Sequence, residues 1–239
     1  MSTERRRTIL HVRDLTRTYG TGALAKTVLQ GVSLRLAAGE VAAVCGPSGS
    51  GKTTLLNLIG TLDRPDSGEL WLDGKPLHLA SPEDRETVRR RELGFVFQEF
   101  GLLPGLTAQE NVEMALLLEE DSRARRRIRA ATALASVGLH AHAERFPHEL
   151  SGGQKQRVGV ARAIVKRPKL VLADEPTANL DSQTALALIA LFRELAECQG
   201  LAFLIATHDA RVLEAAEGRF TLNDGVLIPH GTALTGDRS

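Results

Sequence analysis

At 239 residues, with 43% hydrophobic and 25% charged side chains, the chain has the make-up of a globular protein with a sizeable core. Thirty basic against 29 acidic residues leave a formal charge of +1, which excludes a sequence-wide attraction to nucleic acid or anionic lipid. No apolar run nears the ~20 residues that cross a bilayer, Cys45 and Cys198 stand in no metal-ligand spacing, and residues 1–7 lack the apolar segment of a secretion signal, so a reducing, cytosolic setting is expected.

Residues 8–12 alternate apolar and polar, as do 28–36, and a turn at Gly20 and Gly22 separates these two predicted strands. Val41-Ala42-Ala43-Val44-Cys45 is a short continuous apolar run, the pattern of a strand covered on both faces. A glycine-rich loop and a predicted helix over 53–60 follow at once. Residues 68–79 are strand-rich, with turns at Asp66-Ser67-Gly68 and Asp73-Gly74. The passage 82–167 changes character and is predicted mostly helical, with helices over 119–137 and 154–166. In the second, Val158, Ala161 and Val165 share a face. A strand at 170–173, a helix at 182–198 and a strand at 201–206 give the alternation of an α/β sheet, and an Asp224-Gly225 turn closes the chain between two short strands. The expected architecture is one α/β domain over 8–230, with a helical subdomain inserted at roughly 85–167 and tails at 1–7 and 231–239.

Gly46-Pro47-Ser48-Gly49-Ser50-Gly51-Lys52-Thr53 matches the phosphate-loop pattern and sits between a buried strand and a helix, the context the pattern requires. Glycines let backbone N–H groups curl around phosphate oxygens, and the helix start points its positive end at the same anion. Lys52 adds a charge toward the β- and γ-phosphates, and the Thr53 hydroxyl is a Mg²⁺ ligand candidate. Thr54 completes the candidate ATP-binding stretch. Further on, Leu170-Val171-Leu172-Ala173 ends in Asp174-Glu175. Strand side chains alternate, so the two acids take different jobs: Asp174 toward Mg²⁺, Glu175 toward the terminal phosphate as base or water-orienting group.

Leu150-Ser151-Gly152-Gly153-Gln154, taken with the phosphate loop and the Asp174-Glu175 strand in that order, resembles the nucleotide-binding domain of ABC ATPases over residues 9–228. The fold this implies is a P-loop NTPase core with a mixed sheet, an antiparallel β subdomain and a helical insertion. The resemblance implies that Tyr19 stacks on adenine, that Gln98 reaches Mg²⁺ and the attacking water, that Asp181 acts across a dimer, and that His208 contacts the γ-phosphate. Ser151 is placed to cap the helix after it, with Gly152 and Gly153 exposing N–H groups as a second anion site and Gln154 closing the motif. By the same resemblance, that site binds ATP held by a second copy of the chain, giving a head-to-tail dimer with two-fold symmetry. Catalysis is then assigned to Glu175, His208 and Gln98, and Mg²⁺ to Thr53, Gln98 and Asp174.

Within the family, Leu62-Asp63-Arg64-Pro65-Asp66-Ser67-Gly68-Glu69 and Arg91-Glu92-Leu93-Gly94-Phe95-Val96-Phe97-Gln98 resemble the bacterial lipoprotein-releasing and macrolide-exporting group, with the cell-division ATPase a close relative. Ala178, Gly101 and Lys155 depart from that group's usual glycine, asparagine and glutamine. A separate integral membrane permease is the expected partner, docking at residues 98–106 and holding the protein at the cytoplasmic face of the inner membrane. The arginine-rich run from Arg123 to Arg129 follows Glu119, Glu120 and Asp121 and has no interleaved aromatics, so a solvated helix face is expected there and no nucleic-acid partner. Cys45 is expected as a small buried apolar side chain. One alternative is a cell-division-type ABC ATPase that transmits force to a periplasmic process; the main rival class is a soluble, non-transport ABC ATPase. Those carry a long coiled-coil insertion or two cassettes, for which this length has no room.

Overall fold

In the computed structural model, residues 6–119 and 122–230 are described; Glu120, Asp121 and most of the two sequence-read tails lie outside them. The chain begins with two long strands, β1 (Thr8–Tyr19) and β2 (Lys26–Ala37), followed by β3 (Val41–Cys45) and helix α1 (Lys52–Ile59). Next come β4 (Ser67–Leu72), β5 (Lys75–Pro76), α2 (Pro82–Arg91), β6 (Leu93–Val96), α3 (Ala108–Glu113), α4 (Arg123–Ser136) and α5 (Gly152–Ile164). The last third is β7 (Leu170–Asp174), α6 (Ser182–Gln199), β8 (Ala202–Thr207), α7 (Ala210–Ala215), β9 (Gly218–Asn223) and β10 (Val226–Pro229).

Two sheets result. An antiparallel sheet runs in the order β2-β1-β4-β5, and a mixed sheet runs β10-β9-β3-β8-β7-β6. In the mixed sheet β3, β6, β7, β8 and β9 are mutually parallel, and only β10 runs against its neighbour. Strand alternation sorts the side chains of this sheet into two cores. Val41 and Ala43, Val171 and Ala173, and Phe203 and Ile205 face α5 and α6, while Ala42, Val44, Leu170, Leu172 and Leu204 face α1 and the antiparallel sheet. Continuous apolar runs in β3, β7 and β8 are what a sheet covered on both faces demands.

Strand β6 departs from the helical reading of 82–167. Leu93 pairs with Leu170 and Val96 with Ala173, so this stretch is an edge of the main sheet rather than part of an inserted helical unit. Four residues are too few for a period to appear, and the pairing partner lies more than seventy residues away. Helix α4 carries the arginine-rich run mostly on an exposed face, with Arg127 bonded to Glu144 and Arg129 to Glu119. Cys45 is half-buried at the end of β3, not fully enclosed, because the strand there gives way to the loop.

Candidate active site

Register brings the chemistry together. Cys45 lies opposite Thr207 and Asp174 opposite Ala206, so β3, β8 and β7 end at the same edge of the sheet. The carboxyl ends of parallel strands are where open α/β sheets bind ligands. A cleft of about 640 Å³ opens there, lined by the loop before α1 together with Gln98, Asp174, Glu175 and His208. Two loop glycines are fixed by space: a Cβ at Gly46 would sit 2.3 Å from the Leu222 carbonyl oxygen, and one at Gly51 would meet the Val28 carbonyl oxygen at 3.0 Å. Gly51, at φ 106°, is also the residue that turns the chain into α1.

Lys52 is almost fully buried, and its ammonium donates to the carbonyls of Gly46 at 2.8 Å and Pro47 at 3.1 Å. It also lies 3.6 Å from Glu175 Oε1. The Thr53 hydroxyl donates to Asp174 Oδ2 at 2.9 Å, while Asp174 Oδ1 is buried with no hydrogen-bond partner. Burial pushes the Asp174 carboxyl above the usual aspartate range, an effect the Thr53 bond and the Lys52 charge oppose and the Glu175 charge reinforces. An orphaned buried carboxylate oxygen beside a hydroxyl is an all-oxygen donor set that fits Mg²⁺. One carboxylate and one hydroxyl form no closed cage, which suits an ion completed by phosphates and water.

Glu175 leaves the strand in a left-handed conformation, φ 47°, while its own N–H donates to the Ala206 carbonyl at 2.8 Å. A non-glycine residue held there is strained, and the strain turns the carboxylate into the cleft. Glu175 Oε2 accepts from His208 Nδ1 at 2.8 Å and from the His208 backbone N–H at 3.2 Å. With a carboxylate as acceptor, Nδ1 carries the hydrogen and Nε2 is left to face outward. Gln98 lines the same cleft, its carbonyl held by Asn179 Nδ2 at 3.0 Å.

The remaining sequence-predicted residues are not in that cleft. Ser151 caps α5, its hydroxyl oxygen accepting from the Gln154 N–H, and Gln154 Oε1 accepts from the Ser151 N–H at 2.9 Å to complete a capping box. A Cβ at Gly152 would meet its nearest neighbours at an ordinary contact distance of 3.8 Å, whereas a Cβ at Gly153 would lie 2.4 Å from the Thr184 methyl. Asp181 caps α6, accepting from the N–H groups of Gln183 and Thr184, and these bonds, led by that from the Thr184 hydroxyl, lower its carboxyl below the usual range. Tyr19 is 40% exposed at the end of β1, its hydroxyl bonded to Asp63 at 2.7 Å and one face of its ring under the Arg17 guanidinium at 4.6 Å.

The ABC transporter family model matches residues 29–178, well over half of the chain. The chain belongs to the ABC transporter ATPases. This ABC ATPase is 41% identical over 229 residues to the lipoprotein-releasing system ATP-binding protein LolD of Shewanella frigidimarina, covering 95% of the chain and 96% of that relative. It is 42% identical over 228 residues, 95% of the chain, to the macrolide export ATP-binding/permease protein MacB of Syntrophobacter fumaroxidans, of which it spans only 32%. Its fold superposes with TM-score 0.82 and 38% identity on a dimeric post-hydrolysis state of the ATP-binding cassette MJ0796 bound to ADP and Pi, covering 93% of this chain and 98% of that one. The chain is thus an ATP-binding, ATP-hydrolysing subunit of the ABC class.

In this ABC ATPase the sequence reading overlooked the side chains that hold the Gln98 loop. Asn179 was legible only as part of a motif, and Asn111, nearly fully buried on α3, binds the Leu103 and Leu106 carbonyls. Val28 lines the cleft from β2. The contact of Asn179 spans 81 residues and Val28 comes from a distant strand, so no local spacing signals them, whereas Asn111 bonds carbonyls only five and eight residues before it. A buried asparagine in a helix is the one hint that composition offers, since such an amide must find partners.

Proposed function

We propose that this chain powers a separate membrane permease of the lipoprotein-releasing or macrolide-export type, as a head-to-tail dimer at the cytoplasmic face of the inner membrane. The observation that carries the reading is the division of the machinery. Lys52, Thr53, Gln98, Asp174, Glu175 and His208 share one cleft, while Ser151, Gly152 and Gly153 lie outside it at the start of α5. Ser151 takes the Gln154 N–H, while the N–H groups of Gly152 and Gly153 have no acceptor within the helix and can receive a phosphate brought from elsewhere. A second copy, turned head to tail, supplies one. The relative named as a lipoprotein-releasing system ATP-binding protein, matched along 96% of its length, supports a subunit separate from its permease. Among the described residues no helix is long and apolar enough to cross a membrane. The exposed apolar side chains of Leu103 and, just before the segment, Phe97 support docking of the permease along residues 98–106.

The mechanism follows from the resting contacts. Lys52, now bonded to its own loop carbonyls, turns to the β- and γ-phosphates. Glu175, relieved of the nearby ammonium, accepts a hydrogen bond from the attacking water. His208, already braced through Nδ1 on Glu175, can donate from Nε2 to the γ-phosphate in its doubly protonated form, in which both ring nitrogens carry hydrogen. Mg²⁺, held by Thr53, Asp174 and Gln98, would supply Lewis-acid polarisation of the phosphate oxygens. Contacts of the partner's α5 with the γ-phosphate exist only in the closed dimer, so ATP favours closure by differential affinity, and hydrolysis removes the bridging charge.

The test is Glu175→Gln. It is expected to bind Mg-ATP, hydrolyse almost none, and persist as a dimer in light scattering. A pull-down with it from detergent-solubilised membranes should recover a four-span permease with a large external domain. Normal turnover would refute the role of Glu175, and recovery of only soluble partners or DNA would refute the transporter reading.

A further inference from the structure

The hydrolysis chemistry uses only the N-terminal end of α5, yet the other end of this helix is fastened to the Gln98 loop. Arg162 Nη2 donates to the Phe100 carbonyl at 2.9 Å, and Nη1 donates to the Gly101 carbonyl. These carbonyls belong to two consecutive left-handed residues, each at φ 58°. For Phe100, a non-glycine, that conformation is strained and persists only if the surroundings impose it. The bend aims both carbonyls at one guanidinium, whose planar fork can take two acceptors at once.

Glycine at position 101 is part of the fit. A Cβ there would lie 3.1 Å from Arg162 Nη2, inside ordinary contact distance. Two further positions of α5 meet the same loop. Gln156, fully buried, donates through Nε2 to the Phe97 carbonyl at 3.3 Å, and a Cβ at Gly159 would stand 3.5 Å from the Phe100 carbonyl oxygen. With Asn179 on the Gln98 carbonyl, side chains therefore hold the carbonyls of residues 97, 98, 100 and 101. The helix that begins with Ser151 and the loop that carries Gln98 are one mechanical unit.

We infer that Arg162 is a positioning residue for Gln98, holding the bend after it so that the glutamine side chain stays aimed into the cleft. The inference rests on the reading of Gln98 as a residue that reaches the reacting phosphate. Replacement by lysine keeps a cation but not the two-pronged bond, so the bend is released and Gln98 loses its aim. Displacement of a positioned group by about 1 Å can cost about 100-fold in rate.

The experiment measures kcat, KM and melting temperature for Arg162→Lys, Arg162→Ala, Gln98→Ala and the double variant Gln98→Ala/Arg162→Lys, together with hydrogen exchange across residues 97–103. Expected for Arg162→Lys are an unchanged KM, a kcat lower by about tenfold or more, and faster exchange in that segment. The double variant should be no slower than Gln98→Ala alone, because a residue that acts only through Gln98 has nothing left to lose. Losses that multiply in the double variant, or unchanged exchange and kcat in Arg162→Lys, would overturn the positioning role. If Arg162→Ala does not fold, the lysine variant still decides. A fully active Gln98→Ala variant removes the role given to Gln98 and the inference with it, and is recognised by that single variant.

Discussion

Gly153→Ala is the perturbation whose outcome the geometry sets most directly. The new Cβ would stand 2.4 Å from Thr184 Cγ2, against the ~3.5–4.0 Å at which two carbons rest. Something must yield by about 1 Å or more. The Thr184 side chain cannot rotate freely, because its hydroxyl donates to Asp181 Oδ2 at 2.6 Å while its N–H donates to Oδ1 at 3.0 Å. Moving the methyl therefore breaks a bond in the α6 cap, and leaving it forces α5 away from α6. Overpacking of this kind costs about 1–3 kcal/mol, offset by up to about 1 kcal/mol of helix propensity gained over glycine. With the full propensity gain the net loss is about 0–2 kcal/mol, or up to ~8 °C in melting temperature for a chain of this size. Thr184→Ser deletes the offending methyl and keeps the hydroxyl. The assay is urea unfolding of both single variants and the double, at constant m-value. The double should recover about 1 kcal/mol or more relative to additivity. A double variant that simply adds the two losses would refute the packing argument. Gly152→Ala is the control. Its nearest neighbours stand 3.8 Å away, so it should melt within about 2 °C of the parent yet weaken ATP-driven dimerisation.

Two further expectations concern Asp174 and Tyr19. Burial holds the Asp174 carboxyl above its unfolded range, so the folded chain binds that proton more tightly. The contribution favours the fold below the unfolded pKa, and is lost as pH rises through the folded one. Asp174→Asn, which keeps an oxygen for Thr53, should thus melt higher than the parent at neutral pH without nucleotide, lose that advantage in acid, and hydrolyse no Mg-ATP; a lower melting point at neutral pH would count against it. Tyr19→Phe removes only the hydroxyl bond to Asp63 and should leave ATP affinity unchanged in a fluorescence titration. Tyr19→Ala should weaken it by about 1–3 kcal/mol if the ring stacks on the base, and an unchanged affinity would remove the adenine role from Tyr19.

The phosphate-loop side of the cleft was legible before any coordinates because it is written in contiguous residues, whereas Gln98 and His208 entered only through the family resemblance. A phosphate loop needs a strand, glycines, a lysine and a helix start in immediate succession, and 41–60 supply them in order. The Ser151 cap was legible from the spacing to Gln154, but alternation along one strand does not separate the two acids, since β7 ends at Asp174, Glu175 turns left-handed, and both line the same cleft. The left-handed backbone of Glu175 was not readable, because it is imposed by the bond to the Ala206 carbonyl on a neighbouring strand.

What only the tertiary structure decided is pairing between distant segments. The four residues of β6 carry no period of their own and become a strand because β7 offers an open edge. Tyr19 has Arg17 and Asp63 around it, an environment no aromatic motif announces. Gly153 looked like a phosphate-facing residue and is also a packing contact with Thr184. Arg162 reads locally as one more charge on a helix, and acquires its two carbonyls from a bend about sixty residues earlier. Local sequence sets backbone preference and the order of chemical groups, whereas which groups touch depends on the packing of the whole chain.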